Sequence, residues 1–202
     1  MERWRGRVAL ITGCSVGIGA AVAKHLAALG INVVGCARNL EKLTEVAQSI
    51  PSPGKGTASS GSFTPVQCDV RDETAVLNVF SLIKAKFGRL DICINNAGLA
   101  KTSPLTTGDT DDWRLMLEVN VLGLSIVARE SVKLMTESAI AEGHIFNIGS
   151  MAGHRLPGSP ETNFYSATKF AVRTLTEGLR RELRAEKRPI KVTLISPGIV
   201  ET

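Results

Sequence analysis

The chain has 202 residues, of which 44% are hydrophobic and 21% charged. That balance excludes a disordered, collagenous or disulfide-stapled polypeptide and leads one to expect one globular domain, two at most. At 21.5 kDa a folded monomer exposes about 9,000 Å² of the about 31,000 Å² of the extended chain, so a substantial core is available. The net charge is +5, yet the positive residues form no long run. The densest stretch, Arg180 to Arg188, is diluted by Glu182 and Glu186 and reads as a solvated helix face, so nucleic acid is not an expected partner.

Arg3, Arg5 and Arg7 ahead of Val8–Ile11 loosely imitate a secretion signal, but Thr12-Gly13 interrupts the apolar run, which reads instead as a buried first strand. A helix over Ile18–Leu29, a strand over Asn32–Ala37 and a helix over Leu40–Ile50 follow. Pro51 to Ser62 (PSPGKGTASSGS) is the one low-complexity stretch. The single β-α-β unit before it is too small to fold alone, so a flexible surface loop is expected rather than an interdomain linker. Strands over Phe63–Cys68, Asp91–Asn95, His144–Ile148 and Ile190–Ser196 then alternate with helices over Glu73–Phe87, Asp112–Thr136 and Phe164–Glu186. The strands are short, carry Val, Ile or Cys and lack clean polar alternation, the pattern of strands covered on both faces. Their alternation with helices implies right-handed crossovers and a doubly wound parallel α/β sheet, forming one domain over residues 1–202.

The helix over Asp112–Thr136 carries two apolar stripes. Trp113, Met116, Leu117, Val121, Leu124 and Ala128 make one; Leu115, Val119, Leu122 and Ile126 make the other. One is expected against the sheet and the other against a second subunit, in a homodimer or homotetramer. No apolar run has the length of a membrane span, so no transmembrane segment is expected. Cys14, Cys36, Cys68 and Cys93 are widely spaced and form no C-x-x-C pair. They read as small apolar residues, with no metal and no disulfide, in a reducing, cytoplasmic compartment.

Thr12-Gly13-Cys14-Ser15-Val16-Gly17-Ile18-Gly19 joins the first strand to the first helix. Glycines are needed where backbone approaches a pyrophosphate and where helix packs on strand, and a helix N-terminus favours the phosphates. Gly13, Ser15, Gly17, Ile18 and Gly19 are therefore candidate nucleotide-binding residues. The second strand ends at Ala37-Arg38-Asn39, with no carboxylate before Glu41. An acidic residue here accepts from the ribose 2′-hydroxyl of NAD, whereas an arginine suits a 2′-phosphate, so Arg38 and Asn39 point to NADP(H). Tyr165, the single tyrosine, and Lys169 are four apart on a helix and share a face. A neighbouring ammonium favours the ionised form of a phenol, which suits acid–base work.

The glycine loop, Asn95-Asn96-Ala97-Gly98, Asn120, Ser150, Tyr165-x-x-x-Lys169 and Pro197-Gly198 occur in that order. Together they resemble the short-chain dehydrogenase/reductase family, from about Arg5 to the last residue. The resemblance implies a Rossmann fold and an NADP(H)-dependent carbonyl reductase or alcohol dehydrogenase. It gives Tyr165 proton exchange with the substrate oxygen, Lys169 the nicotinamide ribose, Ser150 a hydrogen bond to the substrate oxygen, and Asn120 a water relaying protons through Lys169. Asp69 and Val70 would meet the adenine, while Asn95, Ala97, Gly98, Pro197, Gly198, Val200 and Thr202 would line the cofactor. Met151 to Asn163 is longer than in many members, which makes Ser159 a rival to Ser150. Members usually continue through a substrate-covering segment and a seventh strand, and this chain is expected to lack both. The alternative reading is therefore a catalytically weak or inactive member that binds NADPH and acts as a regulatory protein. The loops Leu99–Thr110 and Met151–Phe164 mix Leu99, Leu105, Met151, Leu156 and Phe164 with few charges, pointing to an apolar substrate such as a steroid or isoprenoid.

Overall fold

The apolar runs form β1 (Val8–Thr12), β2 (Asn32–Ala37), β3 (Phe63–Gln67), β4 (Ile92–Asn95), β5 (Gly143–Ile148) and β6 (Ile190–Ile195). The helices are α1 (Gly17–Ala28), α2 (Leu40–Gln48), α3 (Glu73–Phe87), α4 (Thr110–Leu117), α5 (Leu124–Glu137) and α6 (Asn163–Ala185). This computed structural model describes residues 2–50, 61–156 and 158–201. Residues 51–60 of the expected surface loop, and Thr202, lie outside the described residues.

The six strands are parallel, in the order β3-β2-β1-β4-β5-β6. The chain runs outward from β1 to β3, returns to lay β4 against the other side of β1, and continues to β6. Strand order thus reverses between β1 and β4, where a doubly wound sheet opens a crevice at its carboxyl end. Every residue of β1 is buried, as its central place demands. Pro65, which has no N–H to donate, sits on the edge strand β3.

Two apolar layers sandwich the sheet. Ile11, Val33, Ile92 and Ile94 pack with Ala23 and Leu26 of α1 and Leu43 of α2. Leu10, Val34, Cys93 and Ile145 pack with α3 (Val79, Phe80, Ile83), α5 (Ile126, Met135) and α6 (Leu183).

The single helix expected over Asp112–Thr136 is instead α4, a π turn at Glu118–Gly123, and α5. Asn120 pins the turn by bonding the backbone of Leu99, and Gly123 lets it approach the β3–α3 connection, where a Cβ would lie 2.9 Å from Val70. The wider turn shifts the helical register and mixes the two stripes. Val119 and Ile126 turn inward, while Leu117 and Leu122 face outward.

At the amino ends of the strands, Asp91 is fully buried. Its carboxylate accepts from Val8 N (3.0 Å), Arg7 Nη1 (2.8 Å), and Arg89 Nε (3.0 Å) and Nη2 (2.6 Å). The cysteines are buried and unpaired. Among the described residues no helix is long and apolar enough to cross a membrane, and no side-chain cluster is arranged to hold a metal ion.

Candidate active site

The carboxyl ends of β1, β2, β3 and β4 surround a crevice of about 880 Å³, within the range of ligand sites. Gly13, Ser15, Arg38, Asp69, Ala97 and Gly98 are among its walls. Gly13 (φ +64°) and Gly17 (φ +56°) are left-handed, a conformation glycine adopts without strain. A Cβ on Gly13 would lie 2.7 Å from Ala97 Cα, so only glycine lets the loop close on the β4 turn. Gly19 does the same for α1, since a Cβ there would lie 2.5 Å from Asn96 Nδ2 and 2.6 Å from Gly13 O.

The side chains of Asn39, Asp72 and Asp109 cap α2, α3 and α4. No side chain caps α1, which starts directly after the crevice-lining Ser15 and Val16, and its first turn holds no acidic residue, so its leading N–H groups have no side-chain partner at the cap. This donor set, with the glycine cradle, fits a pyrophosphate. Arg38 is exposed at the rim, near Lys42. Cys14 lies within the loop, but burial pushes its thiol up to about 12, which leaves it inert as a nucleophile.

Tyr165 and Lys169, on α6, are not among the crevice walls; Lys169 approaches them at Gly98. Their side chains share one face of α6, with Lys169 Nζ 5.8 Å from the tyrosine ring centroid. Lys169 is only 6% exposed, and Nζ donates to Ile148 O at 2.9 Å. Among the described residues no carboxylate pairs with it, and burial lowers its pKa from 10.5 to about 8. A Cβ on Gly98 would lie 3.4 Å from both Lys169 Nζ and Asn120 Oδ1, so these groups converge behind the crevice wall at Gly98. The Tyr165 hydroxyl has no hydrogen-bond partner among the described residues.

Ser150 caps the 3-10 turn Met151–Gly153, its Oγ accepting from Ala152 N (3.1 Å). That leaves its O–H for another acceptor. Ser159, the rival, is exposed and caps a separate turn, with no side-chain bond of its own to that turn. Both donors of Asn120 are engaged: Nδ2 donates to Leu99 O (2.8 Å) and Thr168 Oγ1 (3.0 Å), while Oδ1 accepts from Leu99 N (2.9 Å). Its side chain is a latch between the β4 loop and α6.

Other sequence candidates fall in different places. Ser15, Val70, Ala97 and Gly98 line the crevice, while Ile18 lines an apolar groove on the other flank of α1. Asn39 lines the crevice with its side chain engaged as the α2 cap. Arg71 grips Asp69 through Nε and Nη2, holding its carboxyl below the usual range. Asn95 is buried and donates to Asn147 Oδ1 (2.8 Å), away from the crevice. Pro197 lies in the groove with Ile18, its carbonyl taking Met151 N (2.9 Å). Gly198 and Val200 do not reach the crevice wall, and Val200 is half exposed.

Sequence reasoning passed over Asn96, Thr12 and Thr168. Asn96 Nδ2 donates to Thr12 O (3.0 Å) and Gly13 O (2.9 Å), and Thr12 Oγ1 accepts from Asn96 N and Ala97 N, stitching the glycine loop to β4. Asn96 stood beside Asn95 in the motif. Nothing local said which of the two turns toward the loop.

A glycine cradle at the switch point of a doubly wound sheet, with a tyrosine and a buried lysine paired on the helix that approaches it at Gly98, defines a nucleotide-dependent oxidoreductase of the Rossmann class. Residues 7–202 match the short chain dehydrogenase family profile, and the chain belongs to the short-chain dehydrogenase/reductase family. It is 51% identical to dehydrogenase/reductase SDR family member 11 of Bos taurus over 202 residues, all of this chain and 78% of the relative. It is 40% identical to farnesol dehydrogenase of Aedes aegypti over 203 residues, all of this chain and 80% of that protein. Among solved structures, a short-chain dehydrogenase/reductase from Burkholderia phymatum in complex with NAD superposes with a TM-score of 0.89 at 28% identity, covering 99% of this chain and 68% of that one. A metagenomic short-chain oxidoreductase in complex with NADP gives 0.84 at 33% identity, covering 97% and 84%.

Proposed function

We propose that this oxidoreductase is NADP(H)-dependent and interconverts an apolar carbonyl compound and its alcohol, with Tyr165 as the acid–base residue. The observation that carries the reading is the juxtaposition of Tyr165 with a nearly buried Lys169, which no described carboxylate pairs, beside the crevice. When bound, the nicotinamide supplies or accepts the hydride. The Tyr165 hydroxyl, unengaged by any described residue, gives a proton to the substrate oxygen or takes one from it. Ser150 Oγ, already accepting from Ala152 N, directs its O–H to the same oxygen and holds it in place. Lys169, fixed by Ile148 O, keeps positive charge next to the phenol and binds the nicotinamide ribose. Asn120 contributes by holding the β4 loop to α6 rather than by an open side-chain donor.

Support for a 2′-phosphate comes from Arg38 and Lys42 at the rim and from the lack of a carboxylate between β2 and Glu41. Of the two acids among the crevice walls, Glu41 and Asp69, the latter is gripped by Arg71. An apolar substrate fits exposed Leu105, Met151 and Leu156 on the flanking loops. The outward leucines Leu117 and Leu122 suit a subunit contact in a homodimer or homotetramer, and the buried free thiols suit a reducing cytoplasm.

Farnesol oxidation followed by reduced-nicotinamide absorbance, with NADP+ and NAD+ in parallel, tests the reading. Turnover with NADP+ preferred is expected, and Arg38→Asp should move that preference by at least about tenfold toward NAD+. Tight NADPH binding with no turnover of farnesol or apolar ketones would establish the binding-only alternative, and unchanged preference in Arg38→Asp would sink the assignment to Arg38.

A further inference from the structure

Ser150 lies on a loop and Tyr165 on a helix, so something must set the distance between them. The turn that follows Ser150 packs on α6, and Gly153 makes its tightest backbone approach. A Cβ on Gly153 would lie 2.6 Å from Lys169 O, 2.9 Å from Lys169 C and 3.3 Å from Lys169 Cβ. The first two are backbone atoms of a helix and cannot step aside as the end of a flexible side chain can. Gly153 is buried and its φ is not in the left-handed region, so the requirement is space rather than conformation.

Lys169 also holds the same loop from its other end, through the Nζ bond to Ile148 O. One residue of α6 thus grips the segment on both sides of Ser150, by side chain before it and by backbone contact after it. The opposite flank of the turn is tied to the end of β6, where Met151 N donates to Pro197 O (2.9 Å) and His154 Nε2 pairs with Ser196 Oγ (2.9 Å).

We infer that Gly153 is a positioning residue: its missing side chain seats the Ser150 turn directly on the backbone of Lys169 and thereby sets the standoff between the Ser150 hydroxyl and the Tyr165–Lys169 pair. The inference rests on the function proposed above for those three residues. A single added methyl must push the turn off the helix or open the seal over Lys169. Displacements well under 1 Å at a reacting group are felt strongly, because alignment is lost before binding is.

The test compares wild type, Gly153→Ala, His154→Ala and Gly178→Ala. Gly178 lies within α6 with nothing within 4 Å of an added Cβ, so that variant leaves kcat and NADPH Kd unchanged while the better helix former raises melting temperature slightly. Gly153→Ala is expected to lower kcat for farnesol oxidation by about tenfold to a hundredfold with NADPH Kd nearly unchanged. His154→Ala frees the turn from Ser196 without adding an atom against α6. It gives a second folded variant and should lower kcat in the same direction by less. A purely structural glycine would lower melting temperature while leaving kcat per folded molecule alone, and unchanged kcat in both variants overturns the inference.

A second readout needs no turnover. Acetylation of Lys169 followed by mass spectrometry across pH should show a half-point near about 8 in wild type, moved up toward 10.5 in Gly153→Ala as the seal opens. If wild type turns over no substrate, the catalytic reading fails and the labelling alone judges Gly153. There, an unmoved Lys169 half-point overturns the seating.

Discussion

The two ends of the sheet each bury a charge, and they treat it in opposite ways. At the amino end Asp91, fully buried, accepts from two arginines and from the backbone of β1, so all of its demand is met within the fold. At the carboxyl end Lys169, 6% exposed, has one carbonyl and, among the described residues, no counter-charge. A buried charge that is fully paired holds elements together, whereas one left under-compensated has a shifted pKa and is available for chemistry. Of these two buried charges, the paired one lies below the strands and the under-compensated one above them, on the side where the crevice opens.

The largest effect that would sharpen this contrast is catalytic. Tyr165→Phe removes one hydroxyl that no described residue engages, so turnover should fall by about 10²- to 10⁴-fold while stability and NADPH affinity stay close to wild type. Steady-state kinetics beside a binding titration checks it, and a variant keeping most of its activity would break the upper half of the comparison.

Next comes Asp91→Ala, which leaves Arg7 and Arg89 without the carboxylate they share and Val8 N without its side-chain partner. A loss of about 3 kcal/mol in urea unfolding is expected, with kcat per folded molecule unchanged.

Lys169→Met should act in the other direction on stability. The unfolded lysine keeps its proton to 10.5, while the folded one releases it near about 8. Below pH 8 both states are protonated and the native state bears the whole desolvation penalty. Between about 8 and 10.5 the unfolded state binds more protons, so wild-type stability should rise with pH through that window. Lys169→Met should therefore stabilise the free protein at pH 7 by up to about 3 kcal/mol and remove the rise, while abolishing turnover. Melting curves of both proteins across pH decide it; a destabilised, inactive variant would place Lys169 with Asp91 as a structural charge.

The smallest effect distinguishes two roles at the crevice lip. Asn39 caps α2 through Lys42 N (2.9 Å), so Asn39→Ala should lower stability by about 1 kcal/mol. If the side chain serves only the helix, NADPH affinity corrected for folding stays level. A large loss of affinity would assign Asn39 to the nucleotide.

Much of the fold was legible because its signals are local. Strands buried on both faces must be short runs of apolar residues, and the six runs map onto six strands with ends shifted by a residue or so. The helix expected over Asp112–Thr136 was misread because a π turn arises from where Asn120 and Gly123 are held, and their partners, Leu99 and Val70, lie far off in sequence. The site divides in the same way. Tyr165 and Lys169, one turn apart on a helix, had to share a face. Asn95 and Asn96 are neighbours near a strand end with opposite destinations, and only the pairing of β4 with β1 and β5 decides which enters the core.

By itself the order of residues determined the alternation of strands and helices, the glycine loop and the shared face of Tyr165 and Lys169, since each follows from spacings of a few residues. Tertiary structure alone decided that Lys169 is sealed from water with no counter-charge among the described residues, that Asn120 is a latch, and that Gly153 abuts α6. Burial, engagement of hydrogen-bond donors and close backbone approach are properties of segments brought together across the sheet, and no short window of sequence contains both partners.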